Sequence, residues 1–322
     1  MSSSALNRTL VLEVVRVTEA GAIAASELNG RGDEKAADAA AVEAMRTAFN
    51  SLQIDGRVVI GEGERDEAPM LYIGEEVGAG GVAVDIALDP LEGTTICAKA
   101  MPNALAVVAI TERGGLLNAP DVYMEKIAVG GGLPEGVIDL DKSVTENVQA
   151  VAAAKGKKVS AIMACVLDRP RHAKLIKELR GLGCGVALIG DGDVAGVIAT
   201  TDPKTGIDIY IGSGGAPEGV LAAAALRCIG GQMQGRLLFR NEDERARARK
   251  WGIEDLDRIY TMMEMASGDV IFAATGVTDG SMLKGVHRTP EGITTDTVTM
   301  RSHTKTIRRV ETLHGYDKED LV

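Results

Sequence analysis

The sequence predicts a mixed α/β protein with two domains. Its 322 residues are enough for two domains of ordinary size. The first part of the chain opens with two helical patterns that lead into short apolar strands. From about residue 144 helical and extended patterns alternate, which is typical of layered α/β domains. We place the domain boundary between residues 155 and 156.

The first domain begins with helices. Residues 6–30 carry apolar side chains at spacings of three and four, which predicts an amphipathic helix that ends at Asn29-Gly30. An alanine-rich stretch predicts a second helix from near Asp33 to Ser51. Short apolar runs after glycine turns predict strands over 57–60, 82–88 and 104–110.

The second domain should alternate helix and strand. Helices are predicted over 144–153, 171–182, 193–200 and 217–228, and strands over 158–166, 185–189 and 207–211. A charged helix follows over 242–250. Residues 269–312 consist of short strand patterns with glycine turns, and they could pair with either sheet.

Composition narrows the function classes. The net charge of −11 and the pI of about 5.0 argue against a protein that binds nucleic acid or anionic membranes. No apolar stretch is long enough to cross a bilayer, and the N-terminus has no signal-peptide pattern, so we expect a cytoplasmic protein. With 3% aromatic residues, the core must consist of Ala, Val, Leu, Ile and Met.

The cysteines and histidines are scattered along the chain. Without paired spacings they do not predict a zinc site, so a metal ion would have to bind oxygen ligands. We interpret the cysteines as small buried apolar residues in a reducing compartment. The residues concerned are Cys97, Cys165, Cys184, Cys228, His172, His287, His303 and His314.

The segment D-P-L-E-G-T-T at residues 89–95 is the strongest chemical signal. Asp89 and Glu92 follow an apolar strand that Pro90 should end, and two carboxylates three residues apart on a turn can bind one hard cation. Gly93 lets the backbone approach an anion, and Thr94 presents a hydroxyl and an N–H at a helix start. The alternative is a polar turn with a helix cap.

Two further segments with acidic residues lie in the first domain, one after the strand predicted over 57–60 and one before the second predicted helix. Residues 61–67, G-E-G-E-R-D-E, gather carboxylates at a strand end, where they would repel one another without a cation. The alternative there is a solvated acidic loop. The segment G-R-G-D ends in Asp33 at a helix start, where simple N-capping is the alternative.

A glycine-rich loop precedes a helix in the second domain. In G-S-G-G-A-P-E-G at residues 212–219, backbone N–H groups can bind an anion, and Glu218 could bind a metal that the anion also contacts. The alternative is an ordinary loop in which Glu218 interacts with the helix dipole.

Two other loops of this domain carry charge. Arg169 and Arg171 in D-R-P-R-H can hold a phosphate, although a solvated helix start is the alternative. The segment G-D-G-D-V-A-G superficially fits a dinucleotide loop, but Asp191 and Asp193 would repel a pyrophosphate and suit sugar hydroxyls instead.

Taken in order, eight segments resemble one family. They are GRGDEKAAD, VIGEGERDEAPMLYIGE, DIALDPLEGT, YMEKIAVG, LDRPRH, IGDGD, GSGGAPEGV and FAATGVTDG, and they cover the chain from about Leu10 to about His314. They closely resemble the class II fructose-1,6-bisphosphatases, which belong to the lithium-sensitive sugar and inositol phosphatases. The wider group usually has Asp at the position of Glu92, whereas class II enzymes carry Glu.

The resemblance implies the fold, the cofactor and the site residues. It implies a layered α-β-α-β-α sandwich, Mg²⁺ or Mn²⁺ as cofactor, a metal-binding catalytic α+β domain over 1–155 and a sugar-phosphate-binding α/β domain over 156–322. The implied metal ligands are Asp33, Glu62, Asp89, Glu92 and Glu218. The implied substrate-binding residues are Glu92, Gly93, Thr94, Tyr123, Arg169, Pro170, Arg171, Asp191, Gly192, Asp193 and Gly215. Asp66 and Thr94 would lie near the attacking water, so the expected catalytic residues are Asp66, Thr94 and Glu62.

These assignments predict direct attack of a metal-bound water on the 1-phosphate of fructose 1,6-bisphosphate, a reaction of gluconeogenesis. Asp66 or Glu62, with the Thr94 hydroxyl, would orient or deprotonate the water, while Thr94 as a nucleophile stays open. The partner would be a sugar bisphosphate, without nucleic acid or membrane, and we expect a homo-oligomer. Alternatives are sedoheptulose 1,7-bisphosphate as substrate, a non-catalytic sugar-phosphate sensor and, weakest, a nucleotide-cofactor oxidoreductase.

Overall fold

A computed structural model describes residues 6–63 and 69–316. These residues form two compact units, the first within Met1–Gly114 and Gly268–Val322, and the second Gly115–Ser267. Each unit has its own mixed sheet with helices, so the predicted mixed α/β class is confirmed. The second unit begins at Gly115 rather than at the predicted residue 156, and the residues from Gly268 onward belong to the first unit.

The first unit is built around a sheet of eight strands in the order β12-β13-β11-β4-β3-β1-β2, with β14 paired to β13. Strands β1 and β3 run parallel, and the other pairs are antiparallel. The helices are α1 (Leu10–Ser26), α2 (Glu34–Phe49) and α3 (Thr94–Ala98). The strands are β1 (Ile54–Ile60), β2 (Glu76–Val77), β3 (Val82–Glu92), β4 (Leu105–Glu112), β11 (Val270–Gly276), β12 (His287–Thr289), β13 (Gly292–Arg301) and β14 (Thr306–Gly315).

The second unit contains a sheet of six strands in the order β10-β9-β5-β8-β6-β7, in which β6 runs parallel to β7 and β8. Its strands are β5 (Tyr123–Gly130), β6 (Met163–Leu167), β7 (Gly185–Ile189), β8 (Ile209–Gly215), β9 (Gly231–Leu238) and β10 (Ile259–Thr261). Its helices are α4 (Val144–Ala154), α5 (Ala173–Gly181), α6 (Asp193–Ala199), α7 (Ala216–Ile229), α8 (Glu242–Lys250) and α9 (Met262–Met265).

Aliphatic side chains fill both cores, as the composition predicts. In the first unit the buried cluster joins α1 and α2 to β1, β3, β4 and β11, with Met45 and Phe49 among its fully buried members. In the second unit the cluster lies among β5, β6, β8, α4 and α5. Burial of this apolar surface is the main stabilising term for each unit. The four cysteines are buried and free, which confirms their interpretation as small apolar residues.

The structure corrects the predicted end of strand β3. We expected Pro90 to end the ladder and to leave Asp89 and Glu92 on a loop. Instead the strand continues to Glu92, which pairs with Leu105, and the register shifts between Asp89 and Glu92. A bulge of this kind accommodates a proline that cannot donate to the ladder. Both carboxylates are therefore held by a sheet rather than by a loop.

Strands β11 to β14 resolve the open pairing of residues 269–312. Strand β11 pairs antiparallel with β4, from Val270 opposite Thr111 to Gly276 opposite Leu105, so these strands join the first sheet.

No helix of the described ranges is long and apolar enough to pass through a bilayer.

Candidate active site

In the first unit the carboxyl end of β3 presents two acidic side chains. The Asp89 carboxylate accepts a hydrogen bond from the Leu91 N–H at 3.1 Å, across the bulge, and Glu92 is 4% exposed. Gly93 has φ +90°, and a Cβ at this position would lie 3.0 Å from Ile96 Cδ1, so a glycine is required. Thr94 then begins helix α3, as the sequence predicts for a helix start.

The G-R-G-D segment contacts the same helix. The N–H groups of Gly30 and Gly32 donate to the carbonyl oxygens of Cys97 and Ala98, at 2.8 and 2.9 Å. The structure thus places residues 30–32 against the end of the helix that Thr94 begins. Asp33 is exposed and caps helix α2, because its Oδ1 accepts from the Ala36 N–H at 3.0 Å. The capping interpretation of Asp33 is therefore confirmed.

Glu62 follows strand β1, and its carboxyl group is hydrogen-bonded to that of Asp38 on helix α2. Burial, the charge of Asp38 and this hydrogen bond raise the pKa of Glu62 to about 8. Burial also raises the pKa of Asp38, and the hydrogen bond to Glu62 opposes that rise. A divalent cation could replace the shared proton and keep both groups ionised, since paired carboxylates repel each other without one.

The sequence analysis did not select Asp38. The signal was present, because the residue closes the GRGDEKAAD segment and lies five positions after Asp33, on the first turns of a helix whose start was already a candidate. No role was predicted for this carboxylate, because its partner Glu62 is remote in sequence and only the fold brings the two together.

The paired carboxyl groups supply the hard oxygen donors that Mg²⁺ and Mn²⁺ prefer, so this part of the first unit fits a divalent cation. Within residues 6–63 and 69–316, however, no group of three or more His, Cys, Asp or Glu side chains is arranged to hold a metal ion. Asp66, a predicted catalytic residue, lies outside the described residues.

In the second unit the glycine-rich segment is not the predicted loop, because residues 212–215 complete strand β8 in its pairing with β5, and helix α7 begins directly at Ala216. A Cβ on Gly215 would overlap the Glu218 carboxylate, so the absence of a side chain at Gly215 makes room for it. The Glu218 Oε2 atom is buried without a hydrogen-bond partner. Burial, followed by the charge of Asp193, raises the pKa of Glu218. An orphaned, buried carboxylate oxygen fits a cation-binding role for this residue.

A buried lysine contacts this end of β8. The Lys126 ammonium on β5 contacts the Asp193 carboxylate and donates to the Gly215 carbonyl oxygen at 2.8 Å. Tyr210 donates to the same carboxylate at 3.3 Å. A Cβ on Gly214 would overlap Asp193 Oδ2, so Gly214 admits the ion pair.

This arrangement changes the expectation for Asp193. We expected it to bind sugar hydroxyls, but it is 5% exposed and its carboxylate is engaged by Lys126 and Tyr210. A buried charge needs such partners, so Asp193 orders the loop that precedes α6. The sequence analysis missed Lys126, although a lysine inside the apolar strand Met124–Val129 was a usable signal.

The D-R-P-R-H segment is tied to two neighbouring loops. Arg169 contacts the Gly190 carbonyl oxygen and donates to Asp191 Oδ1 at 3.4 Å. Arg171 donates to the Ser213 carbonyl oxygen at 2.8 and 3.1 Å and to its hydroxyl at 3.2 Å. The structure thus brings Arg169, Arg171, Asp191 and the end of strand β8 together in one unit.

Pro170 and Gly192 shape these loops. Pro170 opens a short 3-10 turn that runs to His172. Gly192 has φ +81° and precedes helix α6, which is a left-handed conformation that favours glycine. Tyr123 begins β5, and the guanidinium carbon of Arg171 lies 4.8 Å from its ring centroid.

Comparison with known proteins places the chain in a family. A family profile described as bacterial fructose-1,6-bisphosphatase, glpX-encoded, matches residues 8–314. Fructose-1,6-bisphosphatase 1 class 2 of Escherichia coli strain K12 and fructose-1,6-bisphosphatase class 2 of Shigella flexneri are each 47% identical to this chain, over 98% of both chains.

Among solved structures, inositol monophosphatase from Anabaena (Nostoc) sp. PCC 7120 matches 60% of this chain and 72% of its own chain. The two share 16% sequence identity with a TM-score of 0.32, which is a weak similarity. The family of this chain therefore follows from the profile and from the relatives that match along nearly their whole length. The chain belongs to the glpX-encoded, class 2 family of bacterial fructose-1,6-bisphosphatases.

Proposed function

We propose that this protein hydrolyses the 1-phosphate of fructose 1,6-bisphosphate to give fructose 6-phosphate and phosphate. The observation that carries the proposal is the 47% identity to class 2 fructose-1,6-bisphosphatases over nearly the whole of both chains. All the described candidate residues, from Asp33 to Glu218, lie inside the matched range 8–314.

The enzyme would use a divalent metal, with Mn²⁺ or Mg²⁺ as our proposal for its identity. When bound, such an ion neutralises phosphoryl oxygens and activates water. In the first unit we assign Glu62, Asp89, Glu92 and Asp33 as metal ligands, and in the second unit we assign Glu218 as a metal ligand. The hydrogen-bonded carboxyl pair of Asp38 and Glu62 supports the first assignment, and the buried orphan oxygen of Glu218 supports the second. Asp38 joins the set as a new candidate.

The chain's own groups would orient the attacking water. The Thr94 hydroxyl, at the first residue of α3, is half-buried and is held next to the glycine turn that ends β3. We assign it to hold the water by a hydrogen bond, and Asp66 or Glu62 to accept the proton.

The second unit would hold the rest of the substrate. We assign Tyr123, Arg169, Pro170, Arg171, Asp191, Gly192 and Gly215 to substrate binding there, and Glu92, Gly93 and Thr94 in the first unit. Arg171 is the best-supported of these, because it contacts the Tyr123 ring and donates only to uncharged acceptors among the described residues. We now assign Asp193 as a positioning residue. We also propose that the enzyme is cytoplasmic and works as a homo-oligomer.

A substrate panel tests the function. Phosphate release with Mn²⁺ would be measured on fructose 1,6-bisphosphate, sedoheptulose 1,7-bisphosphate and fructose 6-phosphate. We expect the highest kcat/KM on fructose 1,6-bisphosphate and almost no release from fructose 6-phosphate. A higher kcat/KM on the sedoheptulose substrate would replace our substrate assignment. Binding of these compounds without any hydrolysis would instead make the protein a sensor.

A further inference from the structure

The ring of Tyr123 lies next to two guanidinium groups. Arg171 Cζ is 4.8 Å and Arg240 Cζ is 5.5 Å from the ring centroid, so both cations are within cation–π range of one tyrosine. Arg240 lies just after strand β9, which pairs with β5, and Leu238 of β9 is opposite Tyr123. The pairing of two strands brings it there from 117 positions further along the chain than Tyr123.

The charge of Arg171 is not balanced by a carboxylate. Its three hydrogen bonds go to the carbonyl oxygen and the hydroxyl of Ser213, which are both uncharged. In the described part of the chain no acidic side chain forms an ion pair with it. The two guanidinium groups beside the same ring repel each other. An anion bound between them would reduce this repulsion and would itself be stabilised.

Arg240 is fixed in place but remains accessible. Glu244, whose side chain is 2% exposed, accepts from the Arg240 backbone N–H at 2.7 Å and from its Nε at 2.6 Å. The Arg240 side chain itself is 62% exposed. Glu244 therefore binds the Arg240 backbone and the Nε–Nη2 edge of its guanidinium. Among the described residues, no acceptor is found for the Nη1 edge.

Arg169 has a different environment. It contacts the Gly190 carbonyl oxygen and pairs with the Asp191 carboxylate. Arg240 is likewise paired with a carboxylate, that of Glu244, so the contact with the Tyr123 ring, and not the charge balance, distinguishes Arg240 from Arg169. Of the three arginines, Arg171 and Arg240 are the two that flank Tyr123. Arg169 is better placed to order the loop at Gly190 and Asp191.

We propose that Arg240 is a substrate-binding residue, which together with Arg171 holds the phosphate of the sugar bisphosphate that is not hydrolysed. The proposal rests on the proposed function and adds a residue to it. A phosphate dianion would accept hydrogen bonds from both guanidinium groups beside the Tyr123 ring. The pair would make the enzyme prefer substrates with a second anionic group at the far end.

The test compares two substrates in the Arg240→Met variant. Methionine keeps an unbranched apolar stem against Tyr123 and removes the charge. Loss of a charged contact should lower kcat/KM for fructose 1,6-bisphosphate by at least about tenfold, mainly through KM. Hydrolysis of 4-nitrophenyl phosphate, which has no second phosphate, should change by less than about twofold.

Two further variants control for damage to the fold. Arg258→Met is the matched control, because Arg258 lies 5.0 Å from the Tyr260 ring and pairs with Glu264 at 2.5 Å, as Arg240 does with Tyr123 and Glu244. It should leave both activities unchanged. The double variant Arg240→Met with Glu244→Gln removes the buried charge that Arg240→Met leaves behind, and it should show the same substrate contrast.

The outcomes are distinct. If Arg240→Met lowers both activities equally, or neither, Arg240 does not hold the second phosphate and the proposal is overturned. If the wild-type protein cleaves 4-nitrophenyl phosphate but not fructose 1,6-bisphosphate, the proposed function fails instead. In that case, calorimetric binding of fructose 6-phosphate tests the role of Arg240 independently of hydrolysis. Binding that is at least about tenfold weaker in the variant than in the wild type supports the proposal. Equal binding in the two proteins, or no binding to the wild type, overturns it.

Discussion

The ammonium group of Lys126 and the carboxylate of Asp193 form an ion pair inside the second unit, where Lys126 is 0% and Asp193 5% exposed. The pair joins strand β5 to the start of helix α6, and Lys126 also binds the Gly215 carbonyl oxygen at 2.8 Å. It thereby joins the start of α6, which follows Gly192, to the end of β8, which precedes Glu218 on helix α7. A buried pair of this kind is strongly destabilising when only one partner is removed.

We therefore expect Lys126→Met to lower the free energy of unfolding by about 3–5 kcal/mol, because Asp193 is left as an uncompensated buried charge. Urea denaturation measures this. Adding Asp193→Asn should recover part of the loss. Lys142→Met is the control, since Lys142 is half-exposed at 3.9 Å from Asp139, and it should cost less than about 1 kcal/mol. Equal losses in Lys126→Met and Lys142→Met would mean that the buried pair does not stabilise the unit.

The Gly215→Ala variant tests whether the Glu218 side chain must occupy the space that a Cβ at residue 215 would fill. The backbone of Gly215 suits alanine, with φ −62° and ψ 144°, so the expected effect comes from the overlap of the new Cβ with the Glu218 carboxylate. If Glu218 binds the metal, the affinity for Mn²⁺ measured by calorimetry should fall by about 10–100-fold. In a Glu218→Gln background the same change should have little further effect.

Gly181→Ala provides the control for this variant, because no atom lies within 4 Å of the position of its Cβ. It should bind Mn²⁺ as the wild type does. Unchanged Mn²⁺ affinity in Gly215→Ala would show that displacement of Glu218 does not matter for the metal, and would remove Glu218 from the ligand set.

Thr94→Val tests the hydroxyl assigned to orient water. The substitution keeps the shape and removes the hydrogen bond, so kcat should fall on the order of a hundredfold while KM changes little. Thr95→Val is the neighbouring control, since Thr95 is equally half-buried on the same helix. A change in KM alone would make Thr94 a phosphate-binding residue.

His172 should make the stability of the second unit depend on pH. Its Nε2 accepts from the Ser213 N–H at 2.9 Å and its Nδ1 lies 2.7 Å from the Leu167 carbonyl oxygen, which fixes the neutral ring. Burial holds the pKa of His172 below its ordinary value, and the charges of Arg171 and Arg169 add to this.

A lowered pKa means that the neutral ring stabilises the fold above the ordinary histidine pKa of about 6.5, and that this contribution is lost as the pH falls below that value. The free energy of unfolding should therefore decrease between about pH 7 and about pH 5, and less so in His172→Gln. His303→Gln, at an exposed position, should keep the wild-type dependence. An identical pH profile in His172→Gln would contradict this account.

Local patterns predicted the parts of the site that lie within one segment. The helix start at Thr94 and the cap at Asp33 follow from short-range backbone geometry, and the structure has both. Even the error at Pro90 was local, because a bulge replaced the expected strand end.

Pairings remote in sequence were not predictable. Lys126 contacts Asp193, which is 67 positions away in the sequence. Glu62, which follows β1, contacts Asp38 on helix α2. Likewise, Arg240 reaches Tyr123 only because β9 pairs with β5, a strand that the sequence analysis did not assign. The pairing of β11 with β4 is likewise remote in sequence, and it accompanies the assignment of the residues after 267 to the first unit. Such contacts depend on tertiary topology, which period and propensity do not encode.

The central claim is metal-dependent removal of the 1-phosphate, and phosphorus NMR of fructose 1,6-bisphosphate tests it most directly. Protein stripped of metal by a chelator should leave both phosphate signals unchanged. Addition of Mn²⁺ or Mg²⁺ should convert the 1-phosphate signal to inorganic phosphate and leave the 6-phosphate signal intact. Full hydrolysis by the metal-free protein, or loss of the 6-phosphate first, would contradict the account.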